Sequence, residues 1–109
     1  MNEFIIEYFN ATVLETIEAW PADVVADVGR VLELACAHGP NLKMPYSRAM
    51  GDGLFEFRAR GSSGQARALY CFRSGQRIVV LHAFRKKTRQ TADHDLAVAR
   101  RRLKEIARG

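Results

Sequence analysis

The spacing of apolar side chains changes period twice along this chain of 109 residues, and the changes divide it into elements. Glu3–Phe9 alternates poorly but is β-branched and aromatic, which predicts one short strand. The spacing then becomes helical. Val13, Ile17 and Trp20 fall on one face of a helix that Thr12 would cap and that runs to about Trp20. Pro21 suits the first turn of a second helix better than the interior of one long helix, because its ring fixes φ and removes a backbone donor. Val24, Val28, Val31, Leu32 and Ala35, three and four residues apart, give that second helix its apolar face. It should stop near Gly39, since Pro40 cannot continue it. Two antiparallel helices joined at a tight Trp-Pro corner follow.

Residues 40–53 read as a connection rich in turn formers, ending in Gly51-Asp52-Gly53. Beyond it the period becomes two. Phe55, Phe57 and Ala59 alternate with Glu56, Arg58 and Arg60. After the turn Gly61-Ser62-Ser63-Gly64, residues 65–73 alternate again, with Arg67, Leu69 and Cys71 on one side. Ser74-Gly75-Gln76 makes a second turn, and residues 77–84 (RIVVLHAF) read as a strand buried on both faces. Three strands on short loops predict an antiparallel meander. A last helix begins near Thr91, its proposed N-cap, with Asp93 and Asp95 favourable at the positive end of the helix dipole. Leu96, Ala99, Leu103 and Ile106 form its apolar face, and Arg100, Arg101, Arg102 and Lys104 lie largely away from it. The expected architecture is α+β, in the order β-α-α-β-β-β-α, over residues 1–109 as one domain.

Composition sharpens this picture in one respect. Hydrophobic and charged contents of 48% and 27% belong to a folded globule and exclude a disordered tail. The net charge of +5 is unevenly divided: residues 1–57 hold nine acidic and three basic side chains, residues 58–109 three acidic and fourteen basic. The basic half is the half that reads as a sheet. A cationic surface on a rigid scaffold attracts a polyanion, most often nucleic acid, although a merely solvated basic half is the plain alternative. The N-terminus has acids where a secretory signal is basic, and no apolar run approaches the roughly 20 residues that span a bilayer; a cytoplasmic location and no membrane partner are expected. Cys36 and Cys71 have no Cys or His at metal-ligand spacing and read as reduced core residues.

Candidate chemistry gathers on the meander. Glu56 and Arg58 point to one face, Arg67 shares a side with Leu69 and Cys71, and Arg85, Lys86 and Lys87 leave the end of the third strand. Arg60 continues the polar side of the first strand, and Tyr46 and Arg48 in the connection are placed to touch a substrate, or form loop surface. Guanidinium pairs and an ammonium fit phosphate, and their field would stabilise a pentacoordinate phosphorus and lower a neighbouring lysine pKa. The same residues could instead pair with other surface charges. His82, on a strand face with Val80 and Phe84, reads as structural; His38 and His94 read as solvated helix-end residues.

The segment GDGLFEFRARGSSGQARALYCFRSGQRIVVLHAFRKKTRQT resembles the RelE superfamily, specifically the phage-derived HigB-like toxins. The resemblance rests on the GDGLFEFR strand, the arginine of QARALY, the VVLHAF strand and the KKT after it, and extends over nearly the whole chain. It implies the toxin of a type II toxin–antitoxin pair, an endoribonuclease that needs no metal and cuts mRNA in the ribosomal A site by attack of the substrate's own 2′-hydroxyl. By position, Glu56 and Arg58 face the scissile phosphate, Arg67 binds it, and Lys87, with Lys86 beside it, stabilises the transition state. Arg85, Lys86, Arg60 and Arg48 would bind substrate. Several superfamily members carry a Tyr near the start of the last helix or a His-Tyr pair after the third strand, where this sequence has Thr88, Arg89 and Gln90; Glu56 then stands as base and Lys87 as acid. Implied partners are mRNA on the ribosome, ribosomal RNA and a cognate antitoxin, commonly a helix-turn-helix DNA-binding protein. Two other readings are a non-catalytic inhibitor on the same fold, of the gyrase-poisoning type, and an RNA-binding module without cleavage.

Overall fold

A computed structural model describes residues 3–86 and 93–108. The elements are β1 (Ile5–Tyr8), α1 (Ala11–Glu18), α2 (Ala22–His38), a 3-10 turn (Gly39–Asn41), β2 (Ser47–Gly51), β3 (Leu54–Gly61), β4 (Gly64–Arg73), β5 (Arg77–Lys86) and α3 (Asp93–Arg108). The sheet order is β1-β5-β4-β3-β2. β1 runs parallel to β5 and the other pairs are antiparallel, so the sheet is mixed and the fold is α+β, consistent with the RelE-like expectation.

The expected meander is β3-β4-β5, and the expected connection contains a strand of its own. β2 pairs with β3 from Ser47 opposite Phe57 to Gly51 opposite Leu54, with a register irregularity between Ala49 and Gly51. Its sequence, SRAMG, has almost no alternation to betray it. It is held by backbone pairing and by Ser47 Oγ, 2.5 Å from the buried Tyr70 hydroxyl.

α1 starts earlier than the reading above supposed. Asn10, not Thr12, is the N-cap: its backbone is extended and its side-chain oxygen accepts from the Val13 N–H at 3.0 Å. Thr12 lies inside the first turn, its carbonyl accepting from the Thr16 hydroxyl. Pro21 sits at the N-cap of α2 rather than in its first turn. α2 ends at His38 because Gly39 adopts a φ of +54°, where a Cβ would also overlap the Phe4 ring.

The helices cover opposite faces of the sheet. Val13, Ile17, Trp20, Val24, Val28 and Val31 of α1 and α2, with Trp20 at their corner, pack on Phe57, Ala68, Tyr70, Ile78 and Val80. On the other face, Ala99 of α3 joins Leu54, Leu69, Cys71, Val79 and Leu81, flanked by Leu96, Leu103 and Ile106 as the helical spacing predicts. Not all basic side chains of α3 turn to solvent. Arg100 donates to the carbonyls of Met50 and Gly51 at 2.9 and 3.3 Å, and Arg102 to that of Leu81 at 2.7 Å while lying over the Phe9 ring. Thr91 lies outside the described residues.

A bulge in β5 corrects the placement of His82. Tyr70 pairs with Val80 but Leu69 pairs with His82, so Leu81 is an extra residue that breaks the alternation. His82 therefore lies on the α3 face with Phe84, not beside Val80, and its Nε2 is 2.6 Å from Asp95 Oδ1. The contact ties β5 to the first turn of α3. Both cysteines are free thiols; Cys71 is buried, and burial pushes both thiol pKa values up.

Candidate functional site

The register of the sheet sets polar residues side by side on the face that α3 shares. Arg48 pairs with Glu56, Arg58 with Arg67, Arg60 with Gln65, and Gln65 with Lys86. Directly paired residues carry their side chains on the same face within about 4.5–5.5 Å at Cβ. Five cationic side chains thus gather about one carboxylate.

The centre of this group is a buried ion pair. Glu56 and Arg67 are only 1% and 3% exposed, and Arg67 Nε lies 3.5 Å from Glu56 Oε1. Arg67 Nη2 donates to Gln65 Oε1 at 3.1 Å and Nη1 to the Ala66 carbonyl at 3.2 Å. Burial, and then the positive field of Arg58, lowers the Arg67 pKa from its ordinary value; Glu56 acts in the opposite sense. Lys86 is shifted down as well, by desolvation first and then by Arg67, with Arg58 and Arg48 adding to it and Glu56 opposing. Burial is thus the main cause of both shifts, and the neighbouring cations add to it. Arg48 and Arg60 are exposed and Arg58 half-buried, its Nη1 3.3 Å from Met44 Sδ. An oxyanion with several acceptor oxygens is the ligand such a group suits.

The family profile described as Phage derived protein Gp49-like (DUF891) matches residues 15–104. The chain belongs to this family. The Gp49-like family is RelE-like and toxin-like. No curated protein matches the chain. Among the described residues, no helix is long and apolar enough to cross a membrane.

In this Gp49-like chain, Glu56, Arg58, Arg60, Arg67, Arg48 and Lys86 come together on one face of the sheet, but Arg85 does not. Arg85 is in register with Ala66, whose side chain belongs to the α1/α2 core, so it projects from the opposite face of the sheet. Its Nη2 donates to the Ser63 carbonyl at 2.7 Å, which makes it a clamp on the β3–β4 turn. Lys87 lies outside the described residues.

Three contributors escaped the sequence reading. Gln65 supplies an acceptor for Arg67. Asp23 and Asp27, four apart on α2 and so on one face, hold the β3–β4 hairpin from its edge. Asp27 Oδ2 accepts from the Arg60 backbone N–H at 2.8 Å; Asp23 Oδ2 accepts from the Ser62 hydroxyl at 2.9 Å and the Ser63 N–H at 3.0 Å. The Ser63 N–H, then the Ser62 hydroxyl, holds the Asp23 carboxyl down to about 2. Burial pushes Asp27 up, but the Arg60 N–H and Arg30 outweigh it and leave its pKa lowered. The one visible signal was two aspartates at helical spacing beside an otherwise apolar stripe.

Proposed function

We propose that this protein is the toxin of a type II toxin–antitoxin pair, of the HigB-like kind, and that it cleaves mRNA in the ribosomal A site. The observation that carries this reading is the convergence of Arg48, Arg58, Arg67 and Lys86 on Glu56, on one face of a sheet in a RelE-like family. Glu56 and Arg67 form the floor of the site, and Arg48, Arg58, Arg60 and Lys86 its rim.

The reaction that fits is transesterification. The substrate's 2′-hydroxyl gives its proton to Glu56 and attacks the adjacent phosphorus. The bond to the 5′-oxygen breaks, leaving a 2′,3′-cyclic phosphate, and that oxygen takes a proton from Lys87, with Lys86 next to it in sequence. Arg58 and Arg67 stabilise the extra charge on the pentacoordinate phosphorus, work that preorganised donors do best in a site of low dielectric. The lowered Lys86 pKa eases proton release from that end of the strand. Ribosomal RNA would face the rim, and a cognate antitoxin would block the site or its entry to the ribosome in the cytoplasm.

The test is mapping of new mRNA 5′ ends in a translating extract. Codon-phased cuts that disappear when translation is blocked are expected, and Arg58→Ala should reduce them about 10²–10³-fold, as removal of a transition-state donor does. Intact mRNA with folded protein refutes the reading, and stabilised gyrase–DNA breaks under the same conditions would replace it with the non-catalytic inhibitor.

A further inference from the structure

β2 begins opposite Phe57, so the edge of β3 from Arg58 onward has no neighbour in β2. The backbone donors there are met in other ways: Arg58 N–H by the Tyr46 carbonyl at 2.9 Å and Arg60 N–H by Asp27. Between this edge, α2 and the segment before β2 lies a cleft of about 320 Å³, whose walls include Asp27, Arg30, Tyr46, Arg58 and Gln65. That is the small end of the range of about 300–1,000 Å³ in which ligand pockets fall.

We propose that this cleft seats the nucleobase next to the phosphate held by the cationic group, stacked on the Tyr46 ring; the inference rests on the RNA-cleavage reading above. The Tyr46 ring is half-buried against the α1/α2 core and also lines the cleft. The planar guanidinium of Arg30 stands over the ring, 5.7 Å from its centroid, and a base stacking there would take its place. Arg58 and Arg67 line both the cleft and the cationic group, so a nucleotide whose phosphate meets Arg58 has its base within reach of Tyr46. Asp27 in the wall disfavours a second phosphate there and offers acceptor oxygens to a base edge. Gln65, its Oε1 engaged by Arg67, has its amide N–H groups to offer. Stacking tolerates every base, since each has a π-face, so the cleft positions the strand more than it reads sequence.

The test uses isotope-labelled protein and a 2′-O-methylated trinucleotide, which lacks the attacking hydroxyl, beside the same trinucleotide with one abasic position. Backbone amide shifts at Tyr46 and Arg60 should follow the base-bearing ligand and be absent with the abasic one, which should bind about tenfold more weakly, the order of one base–aromatic stack. Tyr46→Ala should bring the base-bearing ligand to the abasic level, and Tyr46→Phe should leave it near wild type. Equal binding of the two ligands to wild type, with shifts at Arg58 retained, overturns the base seat alone. Shifts at neither Arg58 nor Arg60 overturn the base seat and the RNA reading together. Shifts at Tyr46 produced only by an antitoxin's aromatic segment would overturn the base seat and assign the cleft to a protein partner.

Discussion

Removing Glu56 should cost far more than removing both members of its pair. Unit charges 3.5 Å apart attract by about 5 kcal/mol at an effective dielectric constant near 20, and breaking a buried pair from one side costs about 3–5 kcal/mol. Arg67 is 3% exposed, and without Glu56 it would lie buried beside Arg58, where its acceptors among the described residues, Gln65 Oε1 and the Ala66 carbonyl, are neutral. Glu56→Ala should therefore lose about 3–5 kcal/mol, a large part of the roughly 5–15 kcal/mol available to a domain. The melting temperature should fall by on the order of 20 °C. Arg67→Ala should cost less, because Glu56 keeps other cations within its field. Glu56→Met with Arg67→Met should recover most of the stability, since apolar replacement of a whole buried pair is often neutral, while leaving no cleavage activity. Urea unfolding followed by circular dichroism at neutral pH measures all four states. A loss below about 1 kcal/mol for Glu56→Ala, or a double variant no better than the sum of the single ones, would refute the buried-pair argument.

Three further outcomes follow from groups outside the cationic cluster. The Asp23 pKa is held at about 2 against an ordinary 3.8, so its contribution is present above about pH 4 and is lost as the pH falls toward 2. Asp23→Asn should be less stable at pH 7 and flatter in that window; an unchanged acid limb in urea unfolding would count against it. Burial, only partly offset by the Ser47 hydrogen bond, raises the Tyr70 pKa to about 12. Its phenol should stay neutral in spectrophotometric titration up to that pH, with the associated stability present below pH 10 and lost as pH rises through 12. Ser47→Ala strands that buried hydroxyl and should cost about 1–3 kcal/mol by urea unfolding.

What could be read in the sequence is what side-chain periodicity encodes. Phe55, Phe57 and Ala59 against Glu56 and Arg58 located β3 and its polar face, and Gly61, Gly64 and Gly75 marked the turns that fix the meander. The same alternation grouped Glu56, Arg58 and Arg67. β2 was hidden because backbone pairing and a single Ser47–Tyr70 contact hold it, and neither leaves a pattern of its own in SRAMG. Asn10 was hidden because one side-chain bond decides a helix start. The depth of Arg67 was equally unreadable: an arginine on the polar side of a strand gives no sign that it lies at 3% exposure. Nor could α2 be seen to reach across to the hairpin, since Asp27 and Arg60 are 33 residues apart.

The extra residue in β5 acts as a frame shift within the strand. Had β5 kept strict alternation from Ile78 and Val80, Lys86 would fall on the α1/α2 side and Arg85 among the cations beside Arg67. Taking up Leu81 as a bulge exchanges the two, so a compact ammonium stands in the site and a guanidinium fork is left to grip the turn. Ironing out the bulge while keeping Leu81, itself fully buried, would be equivalent to rewriting the charge chemistry at the end of the strand without changing a single charged residue. Strand phase, as much as residue identity, decides which cation a sheet presents, and a bulge gained or lost in β5 is the place to look for relatives whose chemistry has diverged.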